Sequence, residues 1–128
     1  MAKGDKIQLK FHDFIDSDTG AKVTRLTPVD VTCHRNYFYQ KCFTNDGSKL
    51  LFGGLFDGGS WNAYLLDLKT QVATQLTDGK GKADNTFGNF LSPDDQYLYY
   101  VKGGRELRRV DLDSLAEEVL YTVPAGYK

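Results

Sequence analysis

Short apolar runs separated by polar turns make up most of the chain. Residues 43–52 (FTNDGSKLLF) have the pattern of a strand end, a turn and a new strand, and residues 90–100 (FLSPDDQYLYY) repeat it. In both turns a Ser or Thr precedes an Asp, which Gly or a second Asp follows. These residues bond nearby amides or tolerate positive φ, so the chain reverses direction there. Asp46 and Asp94 match, which gives a repeat of 94 − 46 = 48 residues.

Each of these turns is followed by a second pair of strand-like segments. They lie in residues 64–77 and 108–121, where Asp67 and Asp111 each precede a Leu and a polar turn. Each repeat therefore predicts four short strands in an antiparallel meander, which is typical of a β-propeller blade. Residues 114–120 also suit a short helix, but their alignment with residues 71–77 favours a strand.

The amino-terminal segment matches only the second half of this unit, since residues 18–27 align with residues 68–77. The sequence thus predicts an all-β chain with an outer half blade over about 1–30 and full blades over about 31–79 and 80–124. Two and a half blades cannot close a ring. We therefore expect an incomplete portion of a larger propeller, with exposed blade edges that favour self-association.

Composition narrows the functional classes. Aromatic residues reach 13%, with 13 Gly and only three Pro, which suits short strands joined by tight turns. The 16 basic residues face 17 acidic ones, which argues against nucleic-acid binding driven by bulk charge. No run of about 18 apolar residues predicts a membrane span, and no apolar stretch follows MAKGDKIQLK as a secretory signal would require. These features predict a cytoplasmic protein without nucleic-acid or membrane partners.

Common catalytic motifs do not occur. The sequence lacks GxSxG, GxxxxGK[ST], HExxH and CxxC. Cys33 and Cys42 are therefore expected to be half-buried thiols of the core. The glycine pairs 53–54, 58–59 and 103–104 are interpreted as hairpin turns.

Candidate binding residues occur just before the first strand of each predicted blade, within residues 33–41 and 81–89. A loop at this place opens onto one end of a propeller's central channel. The candidates for substrate binding are His34, Arg35, Asn36, Lys41 and Asn85. Ordinary loop polarity around an aromatic core is the alternative interpretation.

Individual side chains of these loops suit particular ligand groups. Arg35 has a planar fork that matches a carboxylate, and Lys41 adds a point charge. Tyr37 and Tyr39 are suited to stacking on a sugar ring. Loops carry function more often than cores do.

Four segments closely resemble the amino-terminal part of the oligogalacturonate lyases. They are residues 33–54 (CHRNYFYQKCFTNDGSKLLFGG), 61–79 (WNAYLLDLKTQVATQLTDG), 84–101 (DNTFGNFLSPDDQYLYYV) and 105–112 (RELRRVDL). The resemblance runs from about residue 11 to residue 124. It implies a seven-bladed propeller and a cytoplasmic enzyme of pectin degradation that cleaves short oligogalacturonides such as digalacturonate by β-elimination.

The resemblance also implies a divalent metal, typically manganese, in the full-length enzyme. The family's metal-binding and catalytic residues belong to later blades, so we assign no catalytic residue and no metal ligand to residues 1–128. We expect an amino-terminal fragment of a lyase that binds no metal and is inactive alone. The alternative from another functional class is a non-catalytic propeller module for binding or assembly, since its turns occur in many propellers without enzymatic roles.

Overall fold

The structure is a computed structural model that describes residues 2–80 and 88–127, apart from the side chain of Asp57. Within these residues the chain forms eleven strands and no helix, and every strand pairing is antiparallel. The strands are β1 (Lys6–Gln8), β2 (His12–Ile15), β3 (Lys22–Arg25), β4 (Cys33–Arg35), β5 (Lys49–Asp57), β6 (Ser60–Asp67), β7 (Val72–Gln75), β8 (Phe90–Leu91), β9 (Tyr97–Lys102), β10 (Glu106–Asp111) and β11 (Glu117–Thr122). The prediction of an all-β chain is confirmed, whereas the blade number stays a prediction.

The strands form two meandering sheets and one separate hairpin. The first sheet has the order β1-β7-β6-β5-β4 and the second has the order β11-β10-β9-β8. Within residues 2–80 and 88–127, β2 pairs with β3 alone. Strand β1 lies outside the hairpin, because Lys6 pairs with Thr74 at the edge of the first sheet. The described residues of 114–120 contain strand β11 from Glu117 onward, as predicted, and no helix.

The core lies where the two sheets meet and on the opposite face of the first sheet. One buried cluster joins Leu51, Ala63 and Leu76 of the first sheet region to Leu91, Leu98, Tyr100 and Val110 of the second. A second cluster contains Leu9, Phe52, Tyr64, Leu66 and Ala73. Neighbouring residues of β5 enter different clusters because successive side chains of a strand point to opposite faces. The first sheet is therefore apolar on both faces.

The predicted turns form, with one exception among the glycine pairs. The Ser48 amide donates to Asp46 Oδ1 at 3.0 Å, and the Gln96 amide donates to Asp94 Oδ1 at 3.1 Å. The pairs 58–59 and 103–104 lie in hairpin turns with φ between 56° and 110°.

The hairpin turn predicted at residues 53–54 is wrong, because both glycines lie inside strand β5. Gly54 is required there by packing. A Cβ atom at this position would lie 2.8 Å from the ring of Phe56 and 3.2 Å from Cys33 Sγ. A glycine inside a strand commonly marks such a close approach.

Candidate functional site

The candidate site is built on an interrupted strand at one edge of the first sheet. Arg35 pairs with Phe52, and the pairing resumes where Phe43 bridges Leu50. Between these two pairs, strand β5 contains a single residue, Leu51, whereas the opposite segment contains residues 36–42. The six residues 36–41 therefore leave the sheet as an excursion. This excursion, together with β4, holds four of the five predicted binding residues.

His34 and Arg35 lie on β4 at the rim of a cleft. The ring of His34 lies 4.9 Å from the ring of Trp61, and its Nδ1 lies 3.3 Å from the Arg35 carbonyl oxygen. The cleft has a volume of about 310 Å³ and is lined by Leu26, Thr27, Cys33, His34, Arg35, Leu50, Phe52 and Leu66. Burial in this apolar wall raises the pKa of the Cys33 thiol. The cleft thus has an apolar floor with an imidazole and an exposed guanidinium at its rim.

Asn36 is placed inside the protein and joins the two sheets. It is only 2% exposed, and its side-chain Nδ2 donates to the carbonyl oxygen of Asn89, which is also 2% exposed. The Oδ1 atoms of both asparagines are buried without a partner among the described residues. Buried amide oxygens normally accept a hydrogen bond. These two oxygens are therefore acceptors that a polar group could satisfy, and they lie next to β8, the edge strand of the second sheet.

Lys41 also joins the sheets, through the turns that the sequence predicted. Its Nζ lies 2.6 Å from Asp95 Oδ1 and 2.7 Å from Asn45 Oδ1, and it donates to the carbonyl oxygens of Ser92 and Pro93 at 3.2 Å. The hydrogen bond from Lys41 lowers the pKa of the Asp95 carboxyl. These contacts favour a structural link for Lys41, whose role in binding substrate stays a prediction. Asn85 lies outside the described residues.

The tip of the excursion carries three exposed aromatic side chains. Tyr37, Phe38 and Tyr39 are 57%, 62% and 81% exposed. The ring centroid of Phe38 lies 4.5 Å from that of Tyr37 and 4.2 Å from that of Tyr39. Such adjacent ring faces can stack on the apolar face of a sugar. Sequence reasoning named the two tyrosines but missed Phe38 and Trp61. The available signal was weak: Phe38 is an aromatic residue between the two tyrosines, and Trp61 is an aromatic residue just after the turn at residues 58–59.

A metal site is not built from these side chains. Among residues 2–80 and 88–127, no group of three or more His, Cys, Asp or Glu residues is close enough to hold a metal ion. The residues described do not fit manganese, and we assign no step to it. The described part of the chain also contains no helix that could cross a membrane.

Antiparallel meanders that pack face to face, with basic and aromatic side chains at one edge of the first sheet, define the class as an all-β protein. Comparison with known proteins makes this class specific. The family model of the oligogalacturonate lyases matches residues 1–128. The chain belongs to the oligogalacturonate lyase family.

Individual relatives agree with this assignment. The chain is 69% identical over 124 residues to an oligogalacturonate lyase of Dickeya dadantii and 68% identical to an oligogalacturonide lyase of Pectobacterium atrosepticum. A solved oligogalacturonate lyase in complex with manganese shares 71% identity with a TM-score of 0.92 over 98% of this chain. The crystal structure of an oligogalacturonate lyase from Vibrio parahaemolyticus gives 61% identity and a TM-score of 0.93 over 99% of this chain.

The chain is much shorter than these relatives. In the two sequence matches the aligned region covers 97% of this chain but only 31% of either relative. In the solved structures it covers 32% and 33% of the relatives' chains. Roughly two thirds of each relative therefore has no counterpart in this sequence.

Proposed function

We propose that this chain is the amino-terminal part of an oligogalacturonate lyase and that it supplies substrate-binding residues to the complete enzyme. The complete enzyme would cleave short oligogalacturonides by β-elimination, with its catalytic groups and its manganese in the rest of the protein. The supporting observation is the 69% identity that extends over nearly all of this chain and over 31% of a named lyase. On this proposal the chain alone has no lyase activity.

The reaction explains why a basic and aromatic edge is useful. A base must remove the proton at C5 of the uronate, and the neighbouring carboxylate makes that proton only weakly acidic. Cationic groups that neutralise the carboxylate let negative charge build up in the transition state. In our proposal the exposed Arg35 binds a uronate carboxylate, and His34 beside it on β4 adds a polar contact. The buried Asn36 would support this segment from inside the protein, and a contact of Asn85 with substrate stays a prediction. The three rings of the excursion stack on a sugar face.

An activity assay tests the proposal directly. The 128-residue chain is incubated with digalacturonate and manganese, and formation of the unsaturated or keto uronate product is followed. The full-length relative from Dickeya dadantii serves as the positive control. We expect turnover by the relative and none by the chain. Robust turnover by the chain alone would contradict the proposed inactivity.

The binding role of Arg35 is tested in the full-length enzyme. Losing a charge-assisted hydrogen bond costs about 1.5–3 kcal/mol, so Arg35→Ala should raise KM for digalacturonate about 10- to 100-fold and change kcat little. Arg35→Lys should have a KM between that of the unchanged enzyme and that of Arg35→Ala. Arg25→Ala, on the exposed strand β3, is the matched control and should leave KM unchanged. An unchanged KM for Arg35→Ala would remove Arg35 from the site.

The non-catalytic alternative is favoured by one observation, the exposure of Tyr37, Phe38 and Tyr39. A binding module would hold oligogalacturonide without any catalytic partner. Calorimetric titration of the chain and of its Tyr39→Ala variant with trigalacturonate, combined with a lyase assay of the full-length protein, separates the two functions. Tight binding by the chain, together with a full-length protein that has no lyase activity, would favour the module.

A further inference from the structure

Asp95 has a backbone conformation that residues other than glycine rarely adopt. Its φ is 62°, in the left-handed region. The corresponding turn of the first sheet has Gly47 at this position, with φ of 72°. The two turns share their backbone hydrogen bonds, since the Gly47 amide donates to the Thr44 carbonyl at 2.9 Å and the Asp95 amide donates to the Ser92 carbonyl at 3.1 Å. Glycine would therefore suit position 95 with less backbone strain.

Two other residues of the described chain have positive φ without being glycine, and each uses its side chain in a contact that glycine cannot make. Gln71 has φ of 63°, and its Oε1 accepts a hydrogen bond from the Phe11 amide at 2.9 Å. Leu115 has φ of 62° and packs against the buried cluster between the sheets. Strained backbone persists where the surrounding structure requires the residue. We therefore expect the side chain of Asp95 to make a contact that offsets its strain.

That contact is with Lys41, the last residue of the excursion, and with the turn beside it. Asp95 Oδ1 lies 2.6 Å from Lys41 Nζ, and Asp95 Oδ2 accepts a hydrogen bond from the Asn45 amide at 2.8 Å. Lys41 Nζ also donates to Asn45 Oδ1 at 2.7 Å, which closes the group. The side chains of Lys41 and Asp95 are 27% and 23% exposed, so water screens this pair less than a fully exposed one. Lys41, Asn45 and Asp95 together are termed the clasp.

The excursion is attached to the second sheet at both of its ends. At its start, Asn36 donates to the carbonyl oxygen of Asn89. At its end, the Lys41 carbonyl oxygen accepts a hydrogen bond from the Leu91 amide at 3.0 Å, and the clasp adds the Lys41 side chain. Between these ends the three rings of residues 37–39 are exposed and contact one another. The orientation of the rings therefore depends on how the two ends are held.

We propose that Lys41 and Asp95 are positioning residues for the substrate, because the clasp holds the excursion so that Arg35 and the three rings present one surface to an oligogalacturonide. Holding this surface in place before binding spares the cost of ordering it when the substrate arrives. The proposal rests on the proposed function, which supplies the identity of the ligand. The strain at Asp95 is retained because glycine at this position would leave Lys41 without its carboxylate.

Lys41 acts through the excursion on this proposal and does not touch the sugar. An ammonium group has three donor hydrogens. Four acceptors already surround Lys41 Nζ at 2.6–3.2 Å: Asp95 Oδ1, Asn45 Oδ1 and the carbonyl oxygens of Ser92 and Pro93. Its donors are therefore used within the protein, and a uronate carboxylate would have to displace one of these partners.

Hydrogen exchange on the 128-residue chain tests whether the clasp orders the excursion. The reporter is the Gln40 amide, which donates to the Tyr37 carbonyl at 2.8 Å within the excursion. Asp95→Asn keeps a residue that tolerates positive φ but removes the charge, and Lys41→Met removes the ammonium. Both variants should speed exchange at Gln40 by at least about fivefold and leave the amides of strand β6 unchanged. Asp18→Asn, at an exposed aspartate of another turn, is the matched control and should leave Gln40 unchanged.

Kinetics of the full-length enzyme test whether the ordered excursion serves the substrate. Lys41→Met and Asp95→Asn should each raise KM for digalacturonate about fivefold and change kcat less than about twofold, because binding must then order the excursion. The double variant should also raise KM about fivefold, and not about 25-fold, since the two residues act through one contact. Asp95→Gly relieves the backbone strain but should raise KM as Asp95→Asn does.

The two measurements separate this proposal from the proposed function. Exchange at Gln40 that both clasp variants leave unchanged overturns the clasp, whatever the activity of the enzyme. A KM that rises in Lys41→Met but not in Asp95→Asn overturns the positioning role too, because Lys41 would then contact the sugar directly. A full-length protein without lyase activity would contradict the proposed function, and hydrogen exchange alone would then decide whether the clasp orders the excursion.

Discussion

The two sheets have the same meandering order but are stabilised by different interactions. In β6 of the first sheet Asn62, Ala63, Tyr64 and Leu66 are all at most 2% exposed. In β10 of the second sheet Val110 is fully buried, while Arg108 and Arg109 extend toward acidic partners on β11. In the part of the chain that the structure describes, strand β6 has two further strands, β7 and β1, on its outer side, whereas β10 has only β11. The same backbone arrangement therefore accepts apolar burial in one sheet and charge pairing in the other.

The charge pairing in the second sheet is centred on Glu117. Arg108 Nη1 lies 2.5 Å and Lys3 Nζ lies 3.1 Å from its carboxylate, and the Tyr100 hydroxyl donates to it at 3.0 Å. Burial raises the pKa of Glu117, but the hydrogen bonds from Arg108, Lys3 and Tyr100 outweigh it, so the pKa lies below its usual value. Lys3 belongs to the segment before β1, so this network also ties the amino-terminal end of the first sheet to the second.

The largest expected effects come from fully buried apolar positions, one in each sheet. Leu66→Ala should lower the free energy of unfolding by about 2–5 kcal/mol, because it leaves a cavity in a fully buried position. Val110→Ala should cost about 2 kcal/mol, since it removes fewer buried carbon atoms. Urea unfolding followed by circular dichroism measures both changes.

Ile15 is the control for these two substitutions, because it directly precedes Asp16 in its hairpin as Leu66 precedes Asp67 and Val110 precedes Asp111. Unlike them it is 64% exposed. Ile15→Ala should change the free energy of unfolding of this chain by less than about 0.5 kcal/mol, as for most exposed positions. Equal losses at Ile15 and Leu66 would contradict the difference in burial on which the comparison depends.

A smaller effect is expected from the charged sheet. Arg108→Met removes the partner of Glu117 and Glu106 but keeps most of the side-chain packing. We expect a loss of about 1 kcal/mol, because the pairs retain some contact with water. Arg109→Met, which removes the pair with Glu118 and the contact of its guanidinium with the Tyr97 ring at 4.3 Å, should lower the thermal midpoint less. A larger loss at Arg109 would show that the exposed pairs, and not the Glu117 network, stabilise this sheet.

The smallest effects on stability are expected from the Asp residues of the turns. They are measured as a dependence of unfolding on pH. Hydrogen bonds from Ser48 and Thr44 lower the pKa of Asp46 to about 2, and similar bonds to nearby amides and hydroxyls lower the pKa of Asp16, Asp67, Asp94 and Asp111. A carboxyl group whose pKa is lower in the folded state stabilises the protein above its unfolded pKa, about 3.9. That contribution is lost as the pH falls through the folded value.

The urea midpoint should therefore decline steadily from about pH 4 to about pH 2. Asp46→Asn, which retains an acceptor oxygen without the charge, should reduce the slope of that decline. Because these shifts come from short hydrogen bonds, salt should change the slope little. A slope that vanishes at about 0.5 M NaCl, where long-range charge effects are screened, would contradict this origin.

The candidate site was predictable in part. Sequence reasoning brought His34 and Arg35 to one place because they are neighbours in the chain, and the structure lays them on the rim of a single cleft. It had no means of showing that Asn36 turns inward to the carbonyl of Asn89 or that Lys41 binds the Ser92–Asp95 turn. Those contacts join residues about fifty positions apart, and no local pattern encodes them.

The sequence by itself determined the strand class, the order of the meanders and most of the turns. These depend on alternation and on turn residues such as Asp46, Asp67 and Asp94, whose interactions are with their immediate neighbours. Only the tertiary structure decided that β1 joins the first sheet, that Gly53 and Gly54 lie within a strand, and that Ile15 is left exposed where Leu66 and Val110 are buried. The physical reason is that strand neighbours and burial are set by pairings between distant segments, which a local pattern permits but does not select.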